Sequence, residues 1–191
     1  MTKSSYRIDS KEIMARGWSS LWRLNVSGLR HDGRPVALIR EVADHGHGAA
    51  VLPVDRQRGT CLLVRQWRAG AAFSGHDGWL IEACAGLLDG QDPQACVARE
   101  ALEELGTRLH DITLVYDCFS SPGALSERLS LYTGHYSPED RVHDGGGLQS
   151  EDEDIEVLEL NLNDAFGLIA TGKIQDAKTI ILLQHAMLHM R

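Results

Sequence analysis

The sequence predicts an α+β fold, a mixed β-sheet between helices with a small β-domain ahead of it, and three observations carry that prediction. Strand-like apolar runs and helical patterns follow one another in mixed order rather than as a regular strand–helix–strand series. One segment, Pro93–Leu105, carries helix start and stop signals at both ends. Residues 1–47 hold two strand-like runs around an Asp-Gly turn dipeptide and show no helical period.

Taken in order, residues 21–27 and 35–42 are mostly apolar strand runs, and Gly28-Leu29-Arg30-His31-Asp32-Gly33 between them turns the chain back on itself. Residues 1–16 are polar and charged and lack the apolar core of a signal peptide. His45-Gly46-His47-Gly48 reads as a glycine-rich junction, so we divide the chain into a β-meander, residues 1–47, and a main domain, residues 48–191. The main domain opens with strands at 49–54, 61–67 and 79–85. After the helix, further strands are expected at 113–119, 128–136 and 155–160. Two helices close the chain, one over 164–170 that stops near Gly172 and one from about Asp176 onward.

The formal net charge of −8 argues against a nucleic-acid or anionic-membrane partner, because both need a basic face. The same charge means that an anionic phosphate substrate would need metal ions to reverse the local field. Cys61, Cys84, Cys96 and Cys118 form no C-x-x-C pair, and three of them sit in apolar runs, as core residues of a reducing compartment do. No apolar run spans a bilayer, and a cytoplasmic location is expected.

The helix Pro93–Leu105 carries the chemistry. Asp92 is placed to cap it, Pro93 occupies the first helical position, and Gly106 is placed to end it in a left-handed conformation. At about 100° per residue, Val97, Ala98, Ala101, Leu102 and Leu105 share one arc, with Glu100, Glu103 and Glu104 opposite and Arg99 placed to pair with Glu103. Glu100 and Glu104 lie one turn apart and point the same way, which suits the hard oxygen preference of magnesium or manganese. Standing alone, three such glutamates mark a solvated helix face. The strand and glycine loop just before them, Ala83-Cys84-Ala85-Gly86-Leu87-Leu88-Asp89-Gly90, bring backbone groups to the same end of the sheet.

Together, residues 86–106 resemble the Nudix box, G-x5-E-x7-R-E-U-x-E-E-x-G-U, where U is a bulky apolar residue. The second half is intact as Arg99-Glu100-Ala101-Leu102-Glu103-Glu104-Leu105-Gly106. The loop is one residue short, Gln91 stands in place of the first glutamate, and Thr107 stands where a bulky apolar residue is usual. Beyond the box, Arg40-Glu41-Val42, Val64-Arg65-Gln66-Trp67-Arg68, Ser121-Pro122-Gly123, Gly145-Gly146-Gly147, residues 151–160 and Lys178-Thr179 resemble the GDP-mannose pyrophosphatase group, in the branch that also holds ADP-ribose pyrophosphatases.

That resemblance implies a Nudix α/β/α sandwich and an N-terminal β-domain swapped in a homodimer. It implies Mg2+, with Mn2+ as a substitute, held by the Ala85 carbonyl, Glu100, Glu104 and a late-loop acid, Glu153 or failing that Glu151. Glu103, Glu127 and Glu153 are the implied catalytic groups, with Glu127 orienting or deprotonating water. Arg68, Gly86, Leu87 and Lys178 would contact substrate, and Trp18, Arg40 and Glu41 would reach the partner's pocket. The implied reaction is cleavage of GDP-mannose to GMP and mannose 1-phosphate. The alternatives are ADP-ribose cleavage to AMP and ribose 5-phosphate, or a non-catalytic nucleotide-sensing domain. The three glycines at 145–147 suggest a hinge that carries the acidic loop to the metals. His185 and His189 stand at metal-ligand spacing but lack a third ligand in sequence.

Overall fold

The computed structural model describes residues 5–148 and 153–189. Its contacts divide the chain into two units. The first is the segment ending at His47 together with Phe119–Glu127, a stretch that sequence reading had placed with residues 48–191. The second is Gly48–Cys118 and the chain from Arg128 onward.

The first unit is an antiparallel sheet of β1 (Ser5–Arg16), β2 (Ser20–Leu29) and β3 (Pro35–Asp44) in that order. β1 was not expected. Its register against β2 slips between Ile8 and Ser10 and again between Ile13 and Ala15, so its apolar residues never alternate cleanly enough to read as a strand. Every residue of β1 is exposed, and Tyr6, Ile8, Ile13 and Met14 are among the large apolar side chains left open. Phe119–Glu127 is tied to the end of β3. Ala43 N–H donates to the Ala124 carbonyl, Ser126 N–H to the Ala43 carbonyl, and the Ser126 hydroxyl to Asp44.

The second unit is built on a seven-stranded mixed sheet: β4 (Gly48–Asp55), β5 (Thr60–Trp67), β6 (Trp79–Glu82), β7 (Cys84–Leu87), β8 (His110–Phe119), β9 (Arg128–His135) and β10 (Ile155–Asn161). The main path runs β10-β5-β4-β9-β8, with β4 and β9 parallel, while β6 pairs with β5 and β7 with β4. Side chains alternate along each strand. On β4, Ala49 and Val51 enter one core with Leu62, Val64 and the Val97, Ala101 and Leu105 face of α2 (Pro93–Leu105). Ala50, Leu52 and Val54 enter the other, against α3 (Leu162–Ala170) and α4 (Ala177–His189) through Ala165, Leu182, Leu183 and Ala186. Burial on both faces explains why β4 and β5 read as unbroken apolar runs. This is an α+β domain with a mixed sheet and helices on both sides.

The strand expected over 79–85 is two strands broken at Ala83. There the N–H donates to the Thr179 hydroxyl of α4 at 2.7 Å, and the chain leaves β5 for β4. A short helix, α1 (Ala69–Phe73), precedes β6; it buries nothing and has no apolar period that would reveal it.

Candidate active site

Helix α2 forms for local reasons. The Asp92 carboxylate accepts from the Gln94 and Ala95 N–H groups at 3.0 Å each, Pro93 fills the first turn, and Gly106 closes the helix at φ 67°. One expectation about its faces is corrected. Leu102 is exposed, whereas Glu104 is 2% exposed and points inward beside Ala101 and Leu105. The inward turn is tolerated because Glu104 meets polar backbone: its carboxylate accepts from the Ala85 N–H at 3.3 Å.

Strand β7 and helix α2 press together at this point. A Cβ on Gly86 would fall 1.8 Å from the Glu100 carboxylate oxygen, so only glycine lets that side chain lie across the strand. Arg99 runs along the same face and donates to Glu100 at 2.7 Å and to Glu103. Its Nε lies 3.5 Å from the Gln91 amide oxygen, so Gln91 still offers an acceptor where the box has its first glutamate. Asp92 is committed to capping, and Thr107 is fully buried.

The three glycines before the acidic run pack against the end of α2. Gly146 N–H donates to the Glu104 carbonyl at 2.8 Å and Gly147 N–H to the Glu103 carbonyl at 3.3 Å, satisfying the C-terminal carbonyls of α2. All three have positive φ, and a Cβ on Gly145 would lie 2.4 Å from the Glu104 carbonyl oxygen. Just beyond, Glu153 accepts from the Leu148 N–H at 3.0 Å and lies over Gly147, where a Cβ would meet its carboxylate at 2.4 Å. Glu151 lies outside the described residues.

Glu100, Glu104 and Glu153 thus share one electrostatic neighbourhood. Burial pushes the Glu104 carboxyl up to about 7, with the charges of Glu100 and Glu153 adding to the rise and the Cys84 thiol and Arg68 opposing it. Burial also raises Glu100, against the pull of Arg99. Carboxylates crowded by like charge at a glycine-backed strand end are the hard donor set a divalent cation accepts. Among the described residues no three His, Cys, Asp or Glu side chains already stand as a metal cage. Magnesium does not require one, since it usually takes one or two carboxylates and keeps waters and phosphate oxygens. The residues present fit such an ion.

A residue that sequence reading missed joins two that it named. Arg68 and Lys178 both bond to Glu82, the last residue of β6, at 2.9 and 2.8 Å. Burial raises the Glu82 carboxyl, but Lys178 and Arg68 outweigh it and hold the group below its ordinary value. Burial lowers the Arg68 guanidinium, and Glu82, Glu104 and Asp176 more than restore it. A single glutamate ending an apolar strand was the only signal in the sequence.

The remaining named residues lie in the first unit. Trp18 is 80% exposed, and one face stacks on His45 at 5.1 Å with 18° between the planes. His45 Nε2 lies 3.2 Å from Glu127, so this histidine is more than a junction residue. Glu41 stands 4.0 Å from Arg23, and Arg40 donates to the Ile39 carbonyl at 2.8 Å. Elsewhere, His185 and His189 lie with ring centroids 4.6 Å apart, and Tyr116 meets His185 edge-on.

Comparison with known proteins points to one family. Residues 44–183 match the NUDIX domain model. The chain is 40% identical over 179 residues to a GDP-mannose pyrophosphatase of Yersinia pestis (strain Pestoides F), covering 93% of this chain and 89% of that one. It is 41% identical over 182 residues to one from Pectobacterium atrosepticum, covering 95% and 93%. A Cronobacter sakazakii protein of the same name is 41% identical over 178 residues, covering 93% and 92%. With the box helix, the glycine-backed carboxylates and these matches together, the chain belongs to the Nudix family.

Proposed function

We propose that the protein hydrolyses the diphosphate of a nucleoside diphosphate sugar with Mg2+, and that GDP-mannose is its substrate. The observation that carries the reading is the packing of Glu100 and Glu104 against the Ala85-Gly86 backbone, with the charge of Glu153 acting on Glu104, in a chain about 40% identical to proteins named for that reaction. Water adds to one phosphorus and the bond from that phosphorus to the bridging oxygen breaks, giving GMP and mannose 1-phosphate. Glu100, Glu104, Glu153 and the Ala85 carbonyl would hold the metal. When bound, Mg2+ or Mn2+ supplies Lewis-acid polarisation of the phosphoryl oxygens and acidifies water. Arg99 fixes Glu100 and Glu103 in place. Arg68, Lys178 and the backbone at Gly86 and Leu87 take the substrate, and Glu127 and Glu103 are the groups that orient or accept a proton from water.

Residues 1–47 act, in this reading, as a dimerisation domain exchanged between two copies, with Trp18, Arg40 and Glu41 serving the partner's pocket. The three-stranded sheet supports it, since β1 buries no residue within the chain and leaves large apolar side chains open. Trp18 offers a flat exposed ring of the kind on which a nucleobase stacks.

The test is a product assay. Purified protein with Mg2+ is given GDP-mannose, other nucleotide sugars and ADP-ribose, and products are identified by 31P NMR and chromatography. GMP and mannose 1-phosphate are expected, with kcat/KM on GDP-mannose at least tenfold above that on ADP-ribose. Preference for ADP-ribose would move the assignment to that substrate, and no cleavage of any diphosphate would overturn the reading.

A further inference from the structure

We infer that Glu82 is a positioning residue, which holds Arg68 and Lys178 side by side as a fixed cation pair for the anionic part of the nucleotide sugar. The inference rests on the proposed substrate contacts of Arg68 and Lys178. The two cations come from distant parts of the chain: Arg68 immediately follows β5, and Lys178 lies in the first turn of α4. Both converge on one oxygen. Arg68 Nη2 and Nε reach Glu82 Oε2 at 2.9 and 3.2 Å, and Lys178 Nζ reaches the same Oε2 at 2.8 Å. The carboxylate that joins them is only 3% exposed.

A buried carboxylate is costly unless fully paired, and an apolar residue at the end of β6 would fill the space without that cost. What the acid adds is order. Lys178 alone has a long flexible stem and a point charge, and holding it in one rotamer costs conformational entropy at each binding event. Bonded to Glu82 and, at 3.0 Å, to Asp176, it is already ordered before substrate arrives. Arg68 keeps 41% of its side chain exposed, and its two bonding nitrogens leave the Nη1 edge of the guanidinium outside the Glu82 contact. Arg68 is also one of the charges acting on Glu104, so Glu82 fixes a cation within electrostatic range of the metal-binding carboxylates. The Thr179 hydroxyl, next to Lys178, accepts from the Ala83 N–H, next to Glu82, which locks the two elements at this point.

The experiment compares wild type, Glu82→Gln, Arg68→Met and the double variant. For Glu82→Gln the expected result is a KM for GDP-mannose raised at least tenfold with kcat within about threefold, and unchanged Mn2+ affinity. In the Arg68→Met background the same change should raise KM by a clearly smaller factor, because one of the two cations it acts through is gone and only Lys178 remains. An unchanged KM in folded Glu82→Gln, or KM factors that simply multiply, overturns the positioning role; a purely structural role would lower Tm and leave KM alone. If Glu82→Gln is insoluble, Glu82→Asp, which keeps the charge but retracts it by one methylene, is held to the same split, with a KM rise between the wild type and tenfold. Should wild type fail to cleave GDP-mannose, the substrate reading falls separately. Calorimetry with inorganic pyrophosphate then decides the matter: Kd at least tenfold weaker in Glu82→Gln supports positioning, and equal Kd overturns it.

Discussion

Glu104→Gln is expected to lose roughly a thousandfold or more in kcat/KM, while making the metal-free protein more stable at alkaline pH. The activity loss follows from the proposed role of Glu104 as a charged donor to the metal, whose transition-state contribution is worth several kcal/mol at about 1.4 kcal/mol per tenfold. The stability gain follows from burial. In the folded protein the carboxyl stands at about 7 against an ordinary value of 4.5, so the folded state holds this proton more tightly than the unfolded chain does. Its stabilising contribution is present below pH 4.5 and is lost as pH rises through about 7. At pH 8 the ionised, metal-free Glu104 therefore costs roughly 3 kcal/mol. Glutamine removes that cost, so the variant should exceed wild type in urea midpoint at pH 8 with chelator present, and the gap should close towards pH 4. A variant no more stable than wild type at pH 8, or one with near-normal turnover in Mg2+, would contradict the assignment.

Glu153→Gln is expected to lower kcat at least a hundredfold, whereas Glu151→Gln should stay within a few-fold of wild type. The charge of Glu153 acts on both Glu100 and Glu104, and its carboxylate lies over Gly147 and accepts from the Leu148 N–H. Resemblance favoured Glu153 and kept Glu151 as the fallback, and this pair of variants separates the two by steady-state rates. A loss confined to Glu151→Gln would shift the ligand to that residue, and equal losses would overturn the assignment to Glu153 alone.

What sequence made legible was whatever local chemistry determines. Helix α2 was placed to the residue, because Asp92, Pro93 and Gly106 settle its ends without help from the rest of the chain. β4 and β5 were legible because burial on both faces leaves only apolar residues. β1 was hidden by two register slips, and the break at Ala83 depends on Thr179, distant in sequence. The box singled out Glu100 and Glu104 as candidates, but helical period placed Glu104 on a polar face. Only the approach of β7 shows why it is buried and strongly raised. Glu82 could not be found from pattern, since its meaning lies in two cations brought together by the fold. The run Gly145-Gly146-Gly147 suggested looseness, yet positive φ and contact with the end of α2 explain it as close packing.

The most direct measurement is a Mn2+ titration followed by electron paramagnetic resonance, comparing wild type with Glu104→Gln at pH 6 and pH 8. Wild type is expected to bind stoichiometrically and more tightly as the pH rises, because the carboxyl near 7 must shed its proton to ligate, and the variant to bind at least tenfold more weakly with little pH dependence. Equal affinity in the two proteins at both pH values would show that the cation sits elsewhere.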